Sequence, residues 1–246
     1  MCYACIFDFC FIQHVLQTNK NEAIESKLFD KVIAYDEHDL PRDFQQIMKD
    51  RISEYGMKGY AYWSWKPYII KHALEEMNDG DILLYMDAGS TLNINDDSIG
   101  NFNNFINQSI ENKIGYYRTI GITKYYSTRK LISAVENYYN YSFKDEELMV
   151  KEIQASTIVL PKNKTSVVIV NDWNHIAQNN FDTITDIYNN EDNGDGFIRN
   201  QHDQSLLSLI LIKYNIPSIN GIKSWTSGDW NTLNHMPFLD TRKRYN

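Results

Sequence analysis

A chain of 246 residues, 43% apolar and 13% aromatic, is long enough for one α/β domain with a sizeable core. Its 24 Lys and Arg against 32 Asp and Glu give a net charge of −8, and the one basic cluster is Arg242-Lys243-Arg244. That balance argues against a nucleic-acid binder held by phosphate contacts. The only cysteines, Cys2, Cys5 and Cys10, are odd in number and crowd one apolar run, which argues against a disulfide framework. Strand alternation would send Cys5 away from Cys2 and Cys10, so a zinc site with His14 is disfavoured as well. Reduced thiols imply a reducing, cytoplasmic setting. Asp8 interrupts the first apolar run and no basic segment precedes it, so no signal peptide is expected. No stretch reaches membrane-span length, so a soluble protein is expected, one able to work at a membrane surface.

In chain order, residues 3–11 read as a buried strand and 21–27 as helical. Lys31–Tyr35 is a short β-branched strand between two aspartates. Residues 42–55 form an amphipathic helix with Phe44, Ile47, Met48 and Ile52 at helical spacing. Pro67 suits the first turn of a helix reaching about Met77, which Asn78-Asp79-Gly80 stops. An apolar strand follows over 81–86. Helices are expected over 99–112 and 128–139, strands over 156–160 and 166–170, and an apolar helix over 203–213. Strands alternating with helices predict an α/β fold with a mainly parallel central sheet flanked by helices.

The chemistry centres on Leu83-Leu84-Tyr85-Met86-Asp87-Ala88-Gly89. An apolar strand ending in an acid delivers Asp87 to the crevice where open α/β sheets bind ligands. Ala88 and Gly89 leave room for a bulky ligand there. A carboxylate so placed can hold Mg²⁺ or Mn²⁺ against diphosphate oxygens, or it can merely cap the next turn. Earlier in the chain, Trp63, Trp65 and Lys66 combine aromatic faces for a sugar or base with an ammonium for phosphate. The same cluster would equally serve as a hydrophobic anchor before a helix. Asp203 heads an apolar helix and could be only its cap.

These blocks resemble a set of bacterial and viral glycosyltransferases of the GT-A type. The matching segments are Gly59-Tyr60-Ala61-Tyr62-Trp63-Ser64-Trp65-Lys66-Pro67, then Gly80–Gly89, Gln154-Ala155-Ser156, His202-Asp203-Gln204-Ser205 and Pro237–Arg244. More distantly, the order of parts is similar to glycogenin-like and lipopolysaccharide galactosyltransferases. The resemblance implies a single Rossmann-like GT-A domain, with a nucleotide-sugar half near 1–100 and an acceptor half near 101–246. It implies a donor site of Trp65, Lys66, Asp87, Ala88, Gly89 and Gln154, with Asp203 and Gln204 facing the reacting carbon. A retaining transfer would use Gln204 beside the anomeric carbon, and an inverting one Asp203 as base. The implied partners are a nucleotide-sugar donor, UDP-linked first of all, and a glycan or other hydroxyl acceptor, with Mn²⁺ or Mg²⁺ as cofactor.

This chain departs from the family at one point, because Gly89 replaces the second acid of the Asp-x-Asp motif. Either water fills the shell or a later residue completes it, with His235 the expected second ligand and His202 and Asp203 as alternatives. The same departure motivates a catalytically degenerate nucleotide-sugar or glycan-binding module as the alternative reading. A nucleotidyltransferase would need an early Gly-rich or basic loop, which 2–18 does not offer. Glu191-Asp192-Asn193-Gly194-Asp195-Gly196 mimics a calcium loop but places His202 where the twelfth-position Glu belongs. It reads as an acidic loop.

Overall fold

The computed structural model describes residues 1–7, 13–219 and 230–241, with the side chains of 5–7, 13–16, 230 and 231 outside the description. In chain order the first half runs β1 (Cys2–Phe7), α1 (Gln13–Ser26), β2 (Lys31–Tyr35), α2 (Arg42–Tyr55), the one-turn α3 (Gly59–Tyr62), α4 (Lys66–Glu76), β3 (Ile82–Asp87), β4 (Thr91–Leu92) and α5 (Ile99–Asn112). The second half adds β5 (Gly115–Ile122), the short α6 (Thr123–Tyr126), α7 (Arg129–Tyr139), the short α8 (Asp145–Leu148), β6 (Lys151–Pro161), α9 (Lys164–Asn179), α10 (Asp203–Lys213) and β7 (Phe238–Leu239). Among the described residues no helix is long and apolar enough to cross a membrane.

Five strands form one sheet in the order β2-β1-β3-β6-β5. β1 runs parallel to β2 and β3, while β6 is antiparallel to both β3 and β5. Four strands therefore share one direction and β6 alone opposes them, so the sheet is mainly parallel and the protein is α/β, as its pattern predicts. The reversal of β6 has a structural consequence. It sets Lys151 opposite Ile122 and Thr157 opposite Met86, so the first half of β6 lies beside the carboxyl ends of the other strands. A separate two-stranded ladder pairs β4 with β7.

Alternation along β3 divides the core. Leu83 and Tyr85 face a large cluster with Ile69 and Ile70 of α4, Trp173 of α9 and Leu206 and Ile210 of α10. Leu84 and Met86 face the opposite layer with Phe102 and Phe105 of α5 and Phe238 of β7. Each fully buried Leu, Ile or Phe contributes about 1.5–3 kcal/mol relative to exposure, so both layers hold the sheet firmly.

Two expectations change. Residues 166–170 are helical, lying inside α9. Asn163 caps this helix by accepting from the N–H groups of Thr165 and Ser166, and Ile169, Val170, Trp173, Ile176 and Ala177 form its buried stripe. A β-branched run mimicked a strand because the cap and stripe lie outside the five residues. Conversely, β5 was not expected, since Arg118 and Thr119 interrupt its apolar pattern. The first strand is described to Phe7; residues 8–12 and the side chains of Cys5 and His14 lie outside the described residues.

Candidate active site

Sheet and helices converge at the carboxyl end of β3. α4 begins there with Lys66, α10 begins there with Asp203, and β3 ends there with Asp87. The Lys66 side chain is only 3% exposed, and its Nζ lies 3.2 Å from Asp87 Oδ1 and 2.8 Å from Asp203 Oδ2. The same Nζ donates to the Ala155 carbonyl of β6 at 3.3 Å. Two carboxylates and a carbonyl thus enclose the ammonium. Tyr85 donates its hydroxyl to the same Asp87 oxygen at 2.7 Å.

The electrostatics follow from burial. Burial alone would lower the Lys66 ammonium, but Asp203 and Asp87 outweigh it and raise its pKa. Burial pushes Asp203 up to about 6 against the opposing pull of Lys66, so Asp203 remains mostly ionised at neutral pH. Asp203 also sits in the first turn of α10, where backbone N–H groups favour an anion. Lys66 has the unfavourable end of its own helix and depends on the two carboxylates.

Beside this trio lies a second group. Ser90, just after Gly89, donates to Asp240 Oδ1 at 2.7 Å, and Ser156 reaches the same carboxylate at 2.9 Å. Gln154 gives its amide hydrogen to Asp240, while its carbonyl Oε1 is buried without a hydrogen-bond partner among the described residues. Asn19 of α1 pins the loop after Asp87 through the carbonyls of Ala88 and Ser90. Gln204 is half-buried; its Oε1 accepts from the Ala155 N–H at 3.4 Å and its Nε2 donates to Glu152 at 3.2 Å. Lys66, Asp87, Gln154, Asp203 and Gln204 thus gather from four elements. Ala88 is buried beside them and Gly89 continues the loop.

Two expected site residues lie elsewhere. Trp65 is 4% exposed within the core layer and gives its indole N–H to the Gly59 carbonyl, so its ring anchors the fold and has no open face for a ligand. His235 is exposed and its carbonyl accepts from Asn101 of α5. It precedes β7, whereas Asp240 follows it, so His235 lies at the far end of the β4–β7 ladder from Ser90. It does not join Asp87. Among the described residues no group of three His, Cys, Asp or Glu side chains is placed to hold a metal ion.

Glu152, Asp240 and Tyr85 are site neighbours that sequence reasoning passed over. Glu152 is a single acid in a strand and Asp240 a single acid near the tail, so neither forms a motif. Tyr85 was detectable, because i and i+2 share a face and place it beside Asp87.

No family model matches the chain, and no curated protein matches it. Among solved structures it is similar to a glycosyltransferase involved in the glycosylation of the major capsid of PBCV-1, at 11% identity and a TM-score of 0.48, over 97% of this chain and 94% of that one. It is also similar to mouse xyloside xylosyltransferase 1 in its apo form, at 10% identity and a TM-score of 0.45, over 98% of this chain and 97% of that one. Identities this low leave the roles of individual residues to the geometry above.

Proposed function

We propose that this chain transfers a sugar from a nucleoside-diphosphate donor to a hydroxyl acceptor, using the cluster at the carboxyl end of β3. The observation that carries this reading is the meeting of Lys66, Asp87 and Asp203, which lie far apart in sequence, within 3.2 Å of one ammonium. The motif resemblance names the same three residues for the donor and the reacting carbon.

Charge bears on the cofactor. Two aspartates against one lysine give the trio an excess of acid, and a diphosphate brought there would meet repulsion. Tyr85 and Lys66 both meet Oδ1 of Asp87, and its side chain is 31% exposed, which favours its other oxygen as a cation ligand. Mg²⁺ is commonly held by one or two carboxylates plus substrate phosphates, and that pattern suits one acid with no third ligand. The cation, when bound, would neutralise charge developing on the leaving diphosphate.

The chain's own residues supply the rest. The buried Gln154 carbonyl, which has no hydrogen-bond partner among the described residues, would accept from a donor-sugar hydroxyl brought against it. Gln204, half-exposed and fixed at both ends of its amide, would face positive charge developing at the anomeric carbon. Asp203 is buried and committed to Lys66, a poor arrangement for a base that must reach an acceptor. That contrast favours retention over inversion. The enclosure of Lys66 by its own carboxylates is the one observation favouring a binding module without turnover.

Hydrolysis and transfer from UDP-sugars, measured with and without Mn²⁺ or Mg²⁺, test the reading. Turnover should require the cation and fall at least ~10²-fold in Asp87→Ala. Wild-type protein that binds such a donor, seen as a rise in melting temperature, yet never turns it over would replace the enzyme with the binding module.

A further inference from the structure

Beneath Gln204 lies Glu152, a carboxyl group that is 1% exposed and belongs to no motif. Its two oxygens meet α10, with Oε2 accepting from Gln204 Nε2 at 3.2 Å and Oε1 lying 3.0 Å from Ser205 Oγ. The question is which of Glu152 and Ser205 owns the hydrogen between them. A serine hydroxyl has one hydrogen to give and two lone pairs. Ser205 Oγ lies 2.5 Å from the Tyr126 carbonyl, which can only accept, so the serine hydrogen is spent there. It also accepts from the Gln201 N–H at 3.0 Å. The remaining contact, to Glu152 Oε1, needs a donor on the glutamate side. An ionised Glu152 would leave two acceptor atoms facing each other in a buried site, at the cost of an unmade hydrogen bond.

We infer that Glu152 is a neutral carboxylic acid that donates to Ser205 and accepts from Gln204, and that it is the positioning residue fixing the Gln204 amide at the proposed site. With Ala155 N–H on the Gln204 carbonyl and Glu152 on its NH₂, only one orientation of that amide satisfies both ends. The surroundings agree. Burial raises the Glu152 carboxyl to about 8 against its hydrogen bonds to Ser205 and Gln204 and the charge of Arg199, and Asp203 adds to the rise. From β5 the Arg118 guanidinium donates to the Lys151 carbonyl and to the Tyr116 hydroxyl. Tyr126 contributes its carbonyl from α6.

The role of Gln204 in transfer rests on the reading proposed above; the protonation of Glu152 does not, and two measurements reach it without substrate. Glutamine matches a protonated glutamate here, since its NH₂ can donate to Ser205 while its carbonyl accepts from Gln204. In the unfolded chain a glutamate ionises near about 4.3. A folded value above this favours the folded state fully below the unfolded value, and that advantage is lost as pH rises toward the folded one. Glu152→Gln should therefore match wild type in melting temperature near pH 4 and exceed it by several degrees at pH 8. Infrared spectra in D₂O at neutral pH should show a carboxylic-acid C=O band that Glu152→Gln lacks. A melting difference that does not widen with pH, together with no such band, overturns the protonation. For positioning, Glu152→Ala should lower turnover at least tenfold while leaving donor affinity within about threefold, and Glu152→Gln should restore turnover and remove an alkaline fall near pH 8. Full turnover in a folded Glu152→Ala overturns the positioning role.

Discussion

Lys66 joins three elements through one buried ammonium, and its removal isolates charge where water cannot compensate. Breaking a buried pair by deleting one partner typically costs about 3–5 kcal/mol, because the remaining charge is left uncompensated. In Lys66→Met the exposed Asp87 finds water, whereas Asp203, 5% exposed, does not. The penalty can be relieved only by protonating Asp203. Its folded value is already raised to about 6 and rises further without the lysine, so the stability deficit of Lys66→Met should be small at pH 5 and reach about 3 kcal/mol or more at pH 8. Urea unfolding at the two pH values measures it; an equal deficit at both would show that Asp203 does not carry the uncompensated charge. At this scale the sequence was informative where residue type and element boundary coincide. Asp87 at a strand end and Asp203 at a helix start are legible for that reason. Glu152 is not, because protonation depends on burial and on partners fifty residues away.

The segment between α2 and α4 sets how Lys66 enters the site, and its backbone is unusual. Gly59, Tyr60, Ala61, Tyr62 and Trp63 have φ of 53°, 48°, 64°, 54° and 57°, a left-handed turn closed by Trp63 N–H on the Gly59 carbonyl at 3.0 Å. Left-handed helix costs roughly 1–2 kcal/mol per non-glycine residue, so packing must hold this turn in place. The Trp65 indole bonds Gly59, and Trp63 stacks on the His202 ring with centroids 5.5 Å apart. His202 itself has φ of 60° and immediately precedes Asp203, so two strained segments brace each other behind the trio. Burial lowers the His202 imidazole to about 4, leaving it neutral, with Nδ1 bonded to the Ile184 carbonyl at 2.7 Å. A Cβ on Gly59 would stand 2.4 Å from the Trp63 ring, whereas one on Gly80, also at positive φ, meets nothing within 4 Å. Gly80→Ala should cost about 1 kcal/mol of backbone strain, and Gly59→Ala at least ~2 kcal/mol more, with altered tryptophan fluorescence. Equal costs in denaturant titrations would show that the turn yields rather than braces. The sequence marks this segment by its aromatic residues, yet nothing in a Tyr-Ala-Tyr-Trp string announces a left-handed turn. Local propensity points the other way, and only tertiary packing reverses it.

Across the whole molecule, the division into a donor half and an acceptor half does not follow the core. β6, from the second half, is hydrogen-bonded to β3 of the first, and the layer that buries Leu83 and Tyr85 also contains Ile158, Trp173, Leu206 and Ile210. The fold class and most elements were readable in the sequence, since helices such as 42–55 and 99–112 carry an apolar stripe and 203–213 is an apolar run buried on nearly every face. The antiparallel sense of β6 was not readable, because strand direction is fixed by how α8 and the preceding helices return the chain, not by alternation within the strand. That one reversal brings Gln154, Ala155 and Ser156 to the end of the sheet where Asp87 emerges. Folding and site assembly are therefore one event, and unfolding should be a single transition. Urea curves followed by far-UV and near-UV circular dichroism should coincide, and a fragment covering 1–100 should show no cooperative transition. Without β6, α9 and α10, that fragment leaves Leu83, Tyr85, Ile69 and Ile70 without the layer that covers them, removing at about 1.5–3 kcal/mol each more than a marginally stable domain can lose. Two separated transitions, or a folded fragment, would mean that the halves are independent units and that the trio can be lost without unfolding either one.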